Sequence, residues 1–295
     1  MRHIAFVSAI LLGTTTLPTH ALDFGGGLSL EGWVEWERTF SDYPFNIGYG
    51  EVDLVYRPAA GGLGGFVGFD GFYTSGYDRT APYAALSYSF GAHTLQLGAP
   101  RAALDDYVRT VVMGGNRELY LDRGDKAASQ LQGLYLFRDI DPPLGMRYDG
   151  DFGQLKLGAS AHKGEGFELA NLGVNYEIGQ FVLRGGAEQM EADWRDGSFV
   201  FYGAEARLEK LRAGVMISRF NAYDSTNTQI YAVYSPIERL DLSVAADRTE
   251  FSGFKRENYG IAVEYTLENG VFMDAGAFFP EDADELYNLS LGLKF

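Results

Sequence analysis

The feature that most constrains this chain is a period of two. From Leu28 to Phe295, apolar and polar residues alternate in one stretch after another, and helical periodicity is scarce. The stretch from about Leu28 to Thr39 sends Leu28, Leu30, Val34 and Trp36 to one face and Ser29, Glu31, Glu35 and Glu37 to the other. The last stretch sets Tyr287, Leu289, Leu291, Leu293 and Phe295 against Asn288, Ser290, Gly292 and Lys294. Sixteen such stretches can be marked, and each reads as a two-faced strand. A soluble sandwich would bury the apolar face in a core and show the polar face to solvent. Sixteen strands closed on themselves make a cylinder too wide for side chains to fill. The polar face then lines water and the apolar face meets lipid. Beyond residue 21 no apolar run approaches the ~20 residues a membrane helix needs, so a membrane-spanning form of this chain must be an all-β antiparallel barrel.

The first 21 residues follow another logic. Arg2 begins a positive segment, IAFVSAILLG follows as a short apolar run, and Thr19-His20-Ala21 offers a small-residue cleavage site. The reading is residues 1–21 as a cleavable signal peptide and 22–295 as one barrel domain. Composition agrees: 46% hydrophobic and 15% aromatic residues with a mean hydropathy of only −0.13. The net charge of −16 argues against nucleic acid as a partner, because phosphate binding requires an excess of bases. There are no cysteines, hence no disulfides and no thiolate chemistry.

Connections set the expected topology. Short turns, such as Gly179-Gln180 and Glu209-Lys210, are expected on one rim. Longer loops, such as Phe40–Gly50, Thr74–Pro82 and Arg248–Glu257, are expected on the other. The third long loop along the chain, about residues 100–144, is far the longest, and so long a connection in a compact domain is functional or disordered. Aromatics at strand ends (Trp36, Tyr56, Phe90, Tyr176, Tyr234, Tyr265, Phe295) fit the interfacial girdles of a membrane barrel.

Three segments carry a family resemblance. Gly145-Met-Arg-Tyr-Asp149 followed by GDFGQLKLGA resembles the segment after the third loop of Gram-negative general-diffusion porins. Thr94-Leu-Gln-Leu-Gly98 is similar to that family's fifth strand, and the terminal Phe295 with apolar residues at every second position before it is similar to its assembly signal. The resemblance implies a 16-stranded barrel in the outer membrane, a homotrimer, and passive diffusion of small hydrophilic solutes and ions. It also implies that the barrel-assembly machinery reads Tyr287, Leu289, Leu291, Leu293 and Phe295. The third loop would fold into the lumen and set its acids against bases on the wall. The acids expected at the constriction are Asp105, Asp106, Glu118, Asp122 and Asp125; the wall bases are Arg147, Arg101 and Arg57. The position on the second strand where many such porins carry a base holds Asp53 here, which weakens the expected arginine ladder.

On the strands, acids outnumber bases at inward-facing positions, and rings of acid favour cations. A weak cation preference is therefore expected. Other chemistry finds little support. His93 and His162 are the histidines left after residue 21, and His162 two residues from Ser160 along a strand is weak ground for a hydrolase, so the chain is not read as an enzyme. Gly61–Gly65 precedes no Lys-Ser/Thr and no helix, so it is not a phosphate loop. No cofactor is expected. Calcium suits oxygen-rich acidic loops, and Asp105-Asp106 with Asp122 or Asp125, and the run Pro280–Glu285, are its candidate ligands. The rival readings are a substrate-specific channel and a structural or adhesive barrel without a conducting pore. Trp33 and Tyr231 are the aromatics placed inward, too few for a sugar track.

Overall fold

The structure is a computed structural model that describes every residue except 1–20, 43, 75, 77, 109–112, 116–128, 139 and 282. The chain forms β1 (Leu22–Gly25), β2 (Leu28–Phe40), β3 (Phe45–Tyr56), β4 (Gly62–Thr74), β5 (Asp78–Phe90) and β6 (His93–Ala99). The long connection follows, with 3-10 turns at Ala103–Asp106 and Met113–Gly115 and one α-helix, α1 (Gln130–Arg138). Then come β7 (Leu144–Asp151), β8 (Leu155–Gly164), β9 (Phe167–Ile178), β10 (Phe181–Ala192), β11 (Gly197–Arg207) and β12 (Leu211–Phe220). The last strands are β13 (Ser225–Ile237), β14 (Leu240–Phe251), β15 (Phe254–Thr266), β16 (Val271–Pro280) and β17 (Leu286–Lys294).

From β2 to β17 each strand pairs antiparallel with the next, and β17 pairs back onto β2, closing a 16-stranded barrel. Closure is what allows a sheet in lipid, since it leaves no unpaired backbone edge. The chain end completes the seam: Phe295 and Gly32 exchange backbone hydrogen bonds of 2.9 and 2.8 Å. The short arm β1 pairs with Leu28–Leu30 of β2, beyond the point where β17 stops.

The two faces separate as the alternation requires. Leu86, Leu97, Met146, Leu183, Tyr202, Ile230, Ile261, Leu289 and Leu291 are exposed on the outside. Glu37, Asp70, Arg147, Asn171, Glu188, Asp247 and Asn288 are buried on the inside. Tyr56, Phe90, Tyr176, Tyr234 and Tyr265 are exposed near the rim of short turns, where a girdle belongs.

Three expectations are corrected. The second rim does not carry uniformly long loops: its connections shrink to segments such as 165–166 and 252–253, because the strands continue past the apolar belt. Those extensions are polar but still pair, as Arg248–Glu250 and Lys255–Glu250 ion pairs and the Asn227–Thr249 hydrogen bond show. The inner face is not polar throughout: Phe72, Phe167, Phe199 and Phe201 point inward and are buried. On the closing strand, Leu293 and Phe295 are covered, 1% and 7% exposed, unlike Tyr287, Leu289 and Leu291, because they sit at the seam against the turn before β16 and the backbone of β2.

Candidate functional site at the third loop

The third loop lies inside the barrel, and the wall is shaped to receive it. Reading across the strands by register, Gly158, Gly173 and Gly186 are neighbours on β8, β9 and β10. Together they leave a bare groove on the inner face. A Cβ on Gly158 or Gly173 would lie 2.6 Å from the Tyr107 ring, and one on Gly186 would lie 2.7 Å from Leu104. Leu104, Tyr107 and Val108 fill this groove and pack against Phe199, Phe201, Met216 and Phe220. Farther along the loop, Gly114 and Gly115 reach the opposite wall. Asn288 donates to the Gly115 carbonyl at 2.9 Å, and Gly276 leaves the room that the Gly114 carbonyl takes.

One step along the strands from the glycines runs a polar row: Arg147, Ser160, Asn171 and Glu188 are successive register neighbours on β7 to β10. Each holds the loop. The Ala103 amide donates to Ser160 Oγ at 3.0 Å and the Leu104 amide to Asn171 Oδ1 at 3.2 Å. Arg147 makes a bidentate pair with Asp149, both bonds 2.8 Å, and a further ion pair with Asp106 of the loop. Glu188 receives the start of α1: Ser129 Oγ, the Gln130 amide at 2.8 Å, Gln130 Nε2 at 3.1 Å, and Asn171 Nδ2 at 3.2 Å from the wall. A carboxylate here satisfies otherwise orphaned amides and complements the positive end of the helix dipole. Ser129 caps α1 by accepting from the Leu131 amide at 3.2 Å.

The first turn of α1 then reaches the wall of β3 and β4. Gln132 Nε2 donates to Tyr49 Oη at 2.7 Å and to Asp70 Oδ2 at 2.9 Å. Arg101, just after β6, grips the same wall. It binds Asp53 through two bonds of 2.8 and 3.2 Å, pairs with Asp70, and stacks over Tyr83 with 4.3 Å to the ring centroid. Asp70 also accepts from Tyr83 Oη at 3.2 Å. Leu131, Leu134 and Tyr135 bury against Ile47, Phe72, Tyr83, Phe167, Leu169 and Met190. Burial pushes the phenols of Tyr107 and Tyr135 well above their ordinary range, so both are neutral rings.

The structure thus brings together Asp105, Asp106, Arg101 and Arg147, four of the residues expected from sequence. Arg57 stands apart, exposed past the end of β3 and paired with Glu31 at the short-turn rim. Glu118, Asp122 and Asp125 lie outside the described residues. Among the described residues no three His, Asp or Glu side chains group as metal ligands would. Ser160 and His162 do meet, at 3.0 Å, but Ser160 Oγ donates to Asn171 and accepts the Ala103 amide, so it is a loop anchor. A second inward network, Glu205 with Arg184, Arg207 and Tyr231, ties β10, β11 and β13 together. Many inward acids are therefore paired locally, and their plain count overstates the free charge.

Sequence reading missed most of the loop's anchorage: Gly158, Gly173, Gly186, Ser160 and Asn171 on the wall, and Gln132 on the loop itself. The 38 glycines held the signal, since inward glycines at one register level on three adjacent strands mark a groove.

The sequence profile of the Gram-negative porins matches residues 12–277. Among solved structures, a multiple mutant of Rhodopseudomonas blastica porin superposes with a TM-score of 0.67 at 14% identity, covering 91% of this chain and 100% of its own. A porin refined at 1.8 Å superposes with a TM-score of 0.65 at 13% identity, again covering 91% of this chain and 100% of its own. No curated protein matches the sequence.

Proposed function

Because the chain belongs to the Gram-negative porin family and is therefore an outer-membrane channel, we propose that its lumen passes small hydrophilic solutes and ions with a weak preference for cations. One observation carries the preference. Among the described residues, the two arginines that hold the third loop are each outnumbered two to one by the carboxylates that pair with them: Arg101 by Asp53 and Asp70, Arg147 by Asp106 and Asp149. Fixed negative charge in a narrow aqueous passage raises the local concentration of cations. Liposome swelling against solutes of increasing size separates the readings. A steady fall with size fits general diffusion, a sharp exception for one solute class fits a specific channel, and no swelling fits a structural barrel.

The subunit arrangement is read as a homotrimer. The outer wall of β2 to β4 supports it: Trp36 stacks on Tyr73 at 5.8 Å, Gly48 and Gly50 leave a flat surface beside them, and Arg38 donates to Asn46 at 3.1 Å. An arginine facing lipid costs up to ~2–4 kcal/mol at the midplane and less towards the interface, a cost that a neighbouring protomer covering it removes.

Residues 1–21 are read as a cleaved export signal, and Phe295 with its alternating apolar partners as the mark read by the assembly machinery. Because Phe295 also closes the seam with Gly32, its deletion removes two backbone bonds as well as the mark. Deleting Phe295 should lower the amount of folded barrel in outer-membrane fractions several-fold while leaving export to the periplasm unchanged. Equal assembly of the two forms would contradict the role.

A further inference from the structure

The turn between β15 and β16, residues 267–270, brings together two neighbours with a chemistry of their own. Asn269 is the only asparagine of the chain that a glycine follows. The fold requires that glycine. Gly270 has φ +82°, and a Cβ there would lie 2.0 Å from the Lys294 carbonyl oxygen of β17. Asn269 suits the turn as well. Its Oδ1 accepts the Val271 amide at 3.2 Å, the bond that asparagine makes to its own backbone two residues on. The turn also belongs to the seam of the barrel. The Gly270 carbonyl accepts the Lys294 amide at 2.9 Å, and β17 is the strand that closes onto β2.

We propose that Asn269 is a modification site, at which the Gly270 nitrogen displaces the side-chain amide and the resulting isoaspartate loosens the rim end of β17. Asparagine is among the thermolabile residues, and the conversion needs no reactant but water. The Gly270 nitrogen attacks Asn269 Cγ and a nitrogen–carbon bond forms. The Cγ–Nδ2 bond breaks, and Nδ2 leaves as ammonia with the proton that the Gly270 nitrogen gives up. The product is a cyclic imide. Water then opens the ring at either carbonyl. One opening gives aspartate; the other gives isoaspartate, in which the chain runs through the former side chain. Nothing is oxidised or reduced.

Local contacts weigh on both sides. The Val271 N–H stays aimed at Oδ1 as negative charge builds on that oxygen, as the donors of an oxyanion hole do. The missing Cβ leaves the Gly270 nitrogen unshielded. Against these, the Gly270 N–H donates to the Leu267 carbonyl at 3.1 Å, and attack requires that bond to open. Leu267 and Glu268 are exposed at the rim, where turns open at little free-energy cost. Opening recurs, whereas the loss of ammonia is not reversed, so the conversion accumulates. The remaining asparagines precede residues with side chains, and Asn171, Asn227, Asn258 and Asn288 are fixed within strands.

Isoaspartate adds a methylene to the backbone between residues 269 and 270. The Gly270 carbonyl then no longer meets the Lys294 amide with ladder geometry, and the rim end of β17 loses that bond. A plain aspartate keeps the backbone and adds charge alone. None of this depends on what the lumen conducts.

Full-length protein folded into liposomes would be aged in warm, mildly alkaline buffer, with a second portion aged unfolded in urea. Tandem mass spectrometry reads residue 269, and labelling by an isoaspartyl methyltransferase counts the isoaspartate. In the folded barrel, Asn269 should convert ahead of every other asparagine, with isoaspartate the main product. The temperature at which the barrel unfolds in a semi-native gel should fall in proportion to it. Asn269→Gln closes the ring far more slowly and should keep its unfolding temperature over the same period. Freshly made Asn269→Asp carries the charge without the methylene and should match the unsubstituted chain before ageing. Conversion in urea with Asn269 intact in the folded barrel would overturn the site. Conversion with an unchanged unfolding temperature, or an equal loss in fresh Asn269→Asp, would overturn the loosening of β17. Should either variant fail to fold, the time course of the unsubstituted chain decides by itself.

Discussion

The third loop leaves the wall and returns to it by different means. Its outgoing part is seated by shape, with Leu104 and Tyr107 in the glycine groove of β8 to β10 against Phe199 and Phe201, and the Arg147–Asp106 pair and the hydrogen bonds to Ser160 and Asn171 lie beside that seat. Its returning part also packs Leu131, Leu134 and Tyr135, but its first turn is fixed by charge and hydrogen bonds, through Glu188, Asp70 and Tyr49. Packing contacts are insensitive to salt and protons, whereas charge-assisted bonds respond to both. The groove-seated turn of Leu104 and Tyr107 therefore serves as the fixed frame of the loop in the lumen, and the start of α1 as its adjustable edge.

The strongest way to break this contrast is to fill the groove. In Gly173→Val the added Cβ would meet the Tyr107 ring at 2.6 Å, and overpacking of this kind costs about 1–3 kcal/mol. The barrel should still form, because its ladder is untouched, but the loop should lose its seat and single-channel conductance should rise at every salt concentration. Leu172→Val, on the lipid face of the same strand, should leave conductance unchanged. A smaller effect is expected from Arg101→Ala, which leaves Asp53 and Asp70 without their base; breaking such a pair costs about 3 kcal/mol when buried. Zero-current potentials should then shift further towards cations, and the shift should shrink as salt rises. A shift of equal size at low and high salt would erase the distinction between contacts held by packing and contacts held by charge. The smallest effect belongs to Gln132→Leu, which removes hydrogen bonds to Tyr49 and Asp70 worth about 1 kcal/mol each. Mild extra current noise with unchanged mean conductance is expected in recordings of that variant.

The barrel was legible because a side-chain period of two, read strand by strand, leaves little freedom: inward Glu188 and outward Leu183 fall where alternation puts them. Strand ends were not legible on the polar rim, since Arg248, Glu250 and Lys255 pair in water as readily as residues in lipid do, and composition alone does not mark where a ladder stops. Asp106 and Arg147 were legible through their charge and place. Gly173, Ser160 and Asn171 were not, because a missing side chain or a short polar one carries meaning only once the register aligns it with its neighbours on the next strands. The partition of Asp70 between Arg101, Tyr83 and Gln132 likewise joins residues far apart in sequence, which no local pattern encodes.

The account turns on a water-filled lumen in which the described residues at the third loop pair more carboxylates than guanidinium groups. The most direct test is the zero-current potential of the purified protein in a planar bilayer under a potassium chloride gradient. The predicted result is a positive potential on the dilute side, modest in size and reduced by lowering the pH far enough to protonate the acids. A chloride-selective potential, or a bilayer that stays silent, would contradict it.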